Sequence, residues 1–168
     1  MPELQRLDHR HAPAVLAFEA ANRSYFAASI TDRGDDYFAE FADRFDALLK
    51  EQDAGISAFH VLVDDDGSVL GRFNLMDLVD HAADLGYRVA QAAAGRGLAT
   101  ATVLELCDLA ADRYGLHTLR AATSHRNIAS QRVLIKAGFV EVGPADPADL
   151  GGQPGTWYQR ELGTSTAM

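Results

Sequence analysis

Gln91-Ala92-Ala93-Ala94-Gly95-Arg96-Gly97-Leu98-Ala99-Thr100 separates two different kinds of pattern. Before it, Leu85 to Ala90 reads as a β-strand. After it, Leu98 to Tyr114 reads as a helix with Ala99, Val103, Leu106 and Ala110 on one face and Gly115 placed to end it. A strand that turns through small residues into a helix leaves the first helical N–H groups without partners. These amides, with the positive end of the helix dipole, favour a phosphate, and a pyrophosphate would fit. The plainer reading is that Gly95 and Gly97 only make a tight turn. The stretch is not a dinucleotide fingerprint, because the third glycine of G-x-G-x-x-G would fall on Thr100; no Gly-Lys-Ser/Thr exists for a Walker loop either.

The flanking sequence alternates strands and helices. Glu3 to Leu7 predicts a strand, and Asp8 a cap before a helix carrying Val15, Leu16, Phe18 and Ala21. Asp35 to Glu51 predicts one helix with Tyr37, Phe38, Phe41, Phe45, Leu48 and Leu49 on its buried face, ended by Gly55. Ile56 to Val63 alternates as a strand, Asp65-Asp66-Gly67 makes a hairpin turn, and Val69 to Val79 is the partner strand, with a second turn at His81-Ala82-Ala83. Further on, Thr118 to Thr123 predicts a strand, Ile128 to Ala137 a helix stopped by Gly138, and Phe139 to Val142 and Thr156 to Leu162 the closing strands. Half of the residues from Gly143 to Thr156 are Gly or Pro, which predicts a loop. The order implies an α/β fold of mixed α+β layers. Residues 1–162 are expected to form one domain and 163–168 a frayed tail.

The chain has 168 residues and a formal charge of −9, the wrong sign for tracking nucleic-acid phosphates. The bases are unevenly placed. Arg88 to Lys136 holds seven bases against three acids, a local +4, whereas the remainder carries −13. That asymmetry gathers positive charge around the one phosphate-ready helix start. No apolar run reaches the roughly 18 residues needed to span a membrane, and MPELQRLDHRH lacks the apolar stretch of a signal peptide, so a cytoplasmic location without membrane contact is expected. The single Cys107 reads as a small core residue. His9, His11, His60, His117 and His125 lack metal-ligand spacing, so no metal is expected.

Three pieces together resemble the GNAT acyltransferase superfamily, and within it the Rim-type branch that acetylates protein N-termini. They are Leu85-Gly86-Tyr87-Arg88-Val89 running into Gly95–Thr100, the block from Asn127 to Phe139, and Trp157-Tyr158-Gln159-Arg160-Glu161-Leu162. The superfamily pattern is Gln/Arg-x-x-Gly-x-Gly/Ala. Gly97 and Ala99 match its fourth and sixth positions, and Ala94 departs from its first. The resemblance implies a central, mostly antiparallel, splayed sheet with helices on both faces.

It also implies acetyl-CoA as the acyl donor. Val89, Ala90 and Gln91 would offer backbone groups to its pantetheine arm, and Gly95, Arg96, Gly97, Leu98, Ala99 and Thr100 would cradle the phosphates. Asn127 matches the family's pantetheine-binding asparagine and also suits a helix N-cap. The reaction would be direct attack of a primary amine on the thioester, the amine belonging to a protein N-terminus or a small cationic molecule. Many members protonate the departing sulfur with a tyrosine seven residues after the asparagine, where this chain has Leu134. Rim-type relatives look instead to a serine three residues after it, here Ser130. By spacing, the acidic residue of the last inter-strand loop matches Asp149, with Asp146 close by. Asp77, Asp80, His81 and Asp84 offer a water relay as another route for the proton. Asn22, Arg23 and Tyr25 lie where the family lines its acceptor cleft, with Asn22 and Tyr25 the expected contacts. The resemblance admits a homodimer. The competing function is an acyl-CoA-binding module without turnover, suggested by Leu134 and Ala94.

Overall fold

The computed structural model describes residues 1–163; of the expected tail, Thr164 to Met168 lie outside the described residues. The strands are β1 (Glu3–Arg6), β2 (Ala58–Val63), β3 (Val69–Val79), β4 (Ala82–Val89), β5 (Thr118–Ser124), β6 (Val140–Ala145) and β7 (Gly155–Glu161). They form one sheet in the order β1-β2-β3-β4-β5-β7-β6, in which only the β4–β5 pairing is parallel. The helices are α1 (Ala12–Ala21), α2 (Arg23–Ala27), α3 (Asp35–Ala39), α4 (Phe41–Asp53), α5 (Leu98–Asp112) and α6 (Ile128–Lys136). The mixed layers expected from the element order, and the mostly antiparallel sheet that the resemblance implies, are what the chain forms. No helix among the described residues is long and apolar enough to cross a membrane.

Two cores sandwich the sheet. Val15, Phe18, Phe26, Tyr37, Phe41, Phe45 and Leu49 of α1–α4 pack with Phe59 and Val61 of β2. Val103, Leu106, Cys107 and Ala110 of α5, with Leu134 and Ala137 next to the other face, pack with Ala58, Leu62, Phe73 and Leu75. Because both faces of β2 are covered, its residues Ala58–Leu62 are all buried, and the strand shows no inside–outside alternation.

Three expectations are corrected. The helix expected over Asp35–Glu51 is two helices broken at Glu40 (φ −105°, ψ 18°), although Tyr37, Phe41, Phe45 and Leu49 keep one buried stripe across the break. The second hairpin turns at Asp80 and His81, both left-handed (φ 54° and 62°), so Ala82 and Ala83 already belong to β4. The region from Gly143 to Thr156 is only partly a loop. β6 continues through Gly143, Pro144 and Ala145, and Pro147–Leu150 forms a 3-10 turn capped by the Asp146 side chain. β6 is the last strand of the sheet, where a proline's missing N–H leaves no ladder bond broken.

His60 on β2 is 3% exposed, with Nε2 3.0 Å from the Tyr114 hydroxyl and Nδ1 without a partner among the described residues. Burial pushes its pKa down to about 4; the Phe73 backbone opposes the fall, and the charges of Arg6 and Arg113 add to it. A folded-state value below the unfolded one means that the unfolded chain takes up the proton first, so this contribution to stability is complete above pH 6.5 and declines as the pH falls toward 4. Denaturant unfolding should therefore give a protein on the order of 2 kcal/mol less stable at pH 5 than at pH 7.5 from this group. His60→Phe should flatten that dependence, and an unaltered slope in the variant would contradict the assignment.

Candidate active site

β4 and β5 form a ladder over three pairs only, Ala82, Asp84 and the residue between them with Thr118, Leu119 and Arg120. Beyond it, β4 pairs with β3 as far as Val89, and β5 pairs with β7 as far as Ser124. The two strands diverge, and a wedge opens between Leu85–Val89 and Ala121–Ser124. Two hollows, of about 330 and 270 Å³, occupy this region. They share Ser29, Ile30, Tyr87, Asn127 and Ser130 as common walls.

The first hollow runs toward the glycine segment. After β4, a 3-10 turn at Gln91–Ala93 leads into Gly95 (φ +75°) and Gly97 (φ +74°), left-handed conformations that disfavour any residue with a Cβ. Gly97 is the N-cap of α5 and supplies no side-chain cap. The first α5 amide to find an acceptor across the cap is Ala101, on Gly97 O at 3.1 Å, so those of Leu98, Ala99 and Thr100 have no intrahelical partner. A Cβ built on either glycine would meet nothing within 4 Å. Val89, Ala94, Gly95, Gly97, Ala99 and Thr100 line this hollow, and Arg132 and Lys136 bring positive charge from α6. Ala90, Gln91, Arg96 and Leu98 lie outside both linings. Ala90 N–H is bonded to Leu70 O (2.8 Å), and the Arg96 guanidinium turns back to Ala92 O (3.4 Å).

At the junction of the hollows, Asn127 caps α6 through Oδ1, which accepts from Ser130 N–H at 3.2 Å. This leaves its Nδ2 hydrogens uncommitted, so capping and ligand binding are compatible. The Ser130 Oγ lies 3.0 Å from the Tyr87 hydroxyl, which also reaches Ser130 O at 3.2 Å. Burial pushes the Tyr87 phenol up to about 12, against the opposing effect of the Ser130 bond. Leu134 points into the core, fully buried. The second hollow is lined by Asp149 on its 3-10 turn, by Gly86 and Ala121, and by Thr123 and Ser124, whose buried hydroxyls have no partner among the described residues. Asp84 sits at the foot of the wedge, 3.6 Å from Arg120. Burial raises its pKa, Arg120 opposes the rise, and the negative charges of Asp77 and Asp149 add to it. Asp77, Asp80 and His81 lie outside the walls of both hollows.

Residues 3–140 match the acetyltransferase (GNAT) domain. The chain belongs to the GNAT acetyltransferase family. Membership makes it an enzyme. It is 29% identical over 151 residues to the probable N-acetyltransferase YjcK of Bacillus subtilis, covering 83% of this chain and 80% of that protein. Its fold is similar to that of the ribosomal-protein-S5-alanine acetyltransferase of Vibrio fischeri (TM-score 0.88, 20% identity, 96% and 93% of the two chains). RimJ of Mycobacterium smegmatis, solved with a CoA-disulfide, gives a TM-score of 0.85 at 21% identity over 97% and 83% of the chains. Spermidine N-acetyltransferase of Vibrio cholerae, solved with CoA and spermine, gives 0.78 at 16% identity over 97% and 96%.

In this GNAT enzyme, the roof of the cleft is fixed by a buried ion cluster that the sequence does not announce. Glu19 of α1, 1% exposed, accepts from Arg33 (2.9 and 3.0 Å), Arg72 (2.8 Å) and Arg88 (3.2 Å). Burial alone would raise its pKa, but the Arg33 hydrogen bond and the three guanidinium charges outweigh that and hold it low. Arg88 also lies over the Phe26 ring at 4.9 Å, and both line the first hollow. Asn22, expected to contact the acceptor, is instead a buried brace outside both linings. Its Nδ2 donates to Phe18 O, and its Oδ1 accepts Gln91 N–H at 3.0 Å, tying α1 to the glycine segment. Arg23 faces Asp32 and Asp35, whereas Tyr25, on α2, does line the first hollow. Glu19→Gln would leave the buried guanidiniums without a counter-charge. It should cost on the order of 3 kcal/mol in urea unfolding, and wild-type stability in that variant would contradict the role given to the cluster.

Proposed function

We propose that this GNAT enzyme is an acetyl-CoA-dependent N-acetyltransferase of Rim type, acting on a primary amine. The observation that carries the reading is the meeting, at Ser130 and Asn127, of a hollow lined by acceptor-free amides and bases with a second hollow holding a carboxylate. The first fits coenzyme A on its own chemistry. Two left-handed glycines keep side chains out of the cradle, α5 starts without a side-chain cap, and Arg132 and Lys136 face the same space. When bound, acetyl-CoA supplies a thioester whose carbonyl carbon takes the amine nitrogen and whose sulfur leaves with the C–S electron pair.

The amides of Leu98, Ala99 and Thr100 hold the diphosphate, and Val89 and the free Nδ2 of Asn127 orient the pantetheine arm. Ser130, at the junction, donates a hydrogen bond to the sulfur as negative charge develops there. Asp149, directly or through water, accepts the proton lost by the attacking nitrogen. An α-amine with a pKa near 8 needs only such a weak base, whereas a lysine near 10.4 needs more help. The Asp149 carboxylate favours a cationic acceptor, and Thr123 and Ser124 on the same wall carry hydroxyls without a partner among the described residues. The likeness to ribosomal-protein and spermidine acetyltransferases supports a peptide N-terminus or a polyamine as that acceptor.

The test is acetyl-CoA-dependent thiol release across N-terminal peptides, polyamines and aminoglycosides. One of these classes should drive turnover. With that acceptor, Ser130→Ala should lower kcat on the order of 10²-fold with the affinity for the thioester acetyl-CoA, which has no thiol to ionise, retained. An undiminished rate removes Ser130 from the mechanism, and failure of every amine to release thiol contradicts the proposed function.

A further inference from the structure

We propose that Tyr87 is a positioning residue, whose hydroxyl, 3.0 Å from Ser130 Oγ, turns the serine proton toward the departing sulfur. The inference rests on the reading that places the thioester at the junction of the two hollows. Tyr87 is carried by β4, across the wedge from α6, and lines both hollows. Its ring stacks on the fully buried Phe73 with centroids 5.8 Å apart and planes 13° from parallel, so packing fixes where the hydroxyl sits. Among the described residues, Tyr87 is the one side chain within hydrogen-bond distance of Ser130 Oγ.

The phenol carries one proton and faces two acceptors on the same residue, Ser130 O at 3.2 Å and Ser130 Oγ at 3.0 Å. If the proton goes to the carbonyl, the short contact requires Ser130 to donate to Tyr87, and the serine proton is spent on the wall. If it goes to Oγ, the serine proton is released to point into the cleft. Negative charge growing on a sulfur at the junction favours the second arrangement, since both dipoles then align toward the anion. Tyr87 remains a hydrogen-bond donor throughout. Its pKa of about 12 keeps it protonated in neutral solution, and a thiolate, the anion of a stronger acid than this phenol, is too weak a base to take that proton. Leu134, buried at the position where many relatives place a tyrosine, leaves Ser130 as the hydroxyl that α6 offers to the sulfur. The phenol that orients it comes from the opposite strand.

The experiment measures the affinity of coenzyme A and of desulfo-coenzyme A, which lacks the thiol, by calorimetry from pH 7 to 9. It uses wild-type protein, Ser130→Ala and Tyr87→Phe, which keeps the ring on Phe73. In the wild type, coenzyme A should tighten severalfold relative to the desulfo compound as the bound thiol ionises, and both variants should lose that gain. Tyr87→Phe should also lower kcat about tenfold with the KM for acetyl-CoA little changed. Incorporating 3-fluorotyrosine at position 87, a stronger donor of the same shape, should enlarge the gain and keeps the test decisive if the phenylalanine variant folds poorly. If Ser130→Ala loses the gain and Tyr87→Phe keeps it, Tyr87 has no positioning role, although the reading of Ser130 stands. A wild type without any thiol-dependent gain overturns both.

Discussion

The parallel ladder between β4 and β5 lasts for three residue pairs and then stops. Each strand finds its later partners on its outer side, so the facing backbone groups of the wedge are left to whatever enters it. The chain's other devices are arranged around that gap. The glycine segment and the start of α5 close one end, Asn127 and Ser130 stand at the middle, and the 3-10 turn bearing Asp149 closes the other. Under the proposed function, this is how one sheet brings an acyl donor and an amine to a common point from opposite ends.

A cleft of this kind needs a roof that does not collapse into it. The ion cluster of Glu19 with Arg33, Arg72 and Arg88 supplies one by joining α1, the segment after α2, β3 and β4 at a single buried carboxylate. Ser29 and Ile30, which line both hollows, belong to the segment between α2 and Arg33, and the Arg126 guanidinium holds Ala28 O at 3.0 Å. The cluster's three cations against one anion also leave positive potential behind the first hollow. Arg33 and Arg72 thus add, from the acidic remainder of the chain, to the bases that gather between Arg88 and Lys136.

The parts of this design visible in the sequence are those with strict local chemistry. Left-handed turns required glycine at positions 95 and 97, and the capping asparagine and terminal glycine of α6 sit at their expected places. The break at Glu40 was hidden because the apolar stripe continues with the same spacing across both helices. β6 runs through Pro144 because an edge strand tolerates what an interior one does not. Asn22 and Tyr87 were opaque for a different reason. Each acts on a partner far along the chain, Asn22 on Gln91 and Tyr87 on Ser130, and no local pattern marks such contacts. With Leu134 at the tyrosine position, Ser130 is the hydroxyl of α6, and its partner stands on the facing strand.

Under the proposed function, the amides at the start of α5 grip the diphosphate of coenzyme A. Amide chemical shifts of the isotopically labelled protein, followed as coenzyme A is added, test it directly. The largest changes should fall at Gly95, Gly97, Leu98, Ala99 and Thr100, with further changes at Val89 and Asn127. Coenzyme A binding that leaves those amides unmoved and shifts a different surface would contradict it.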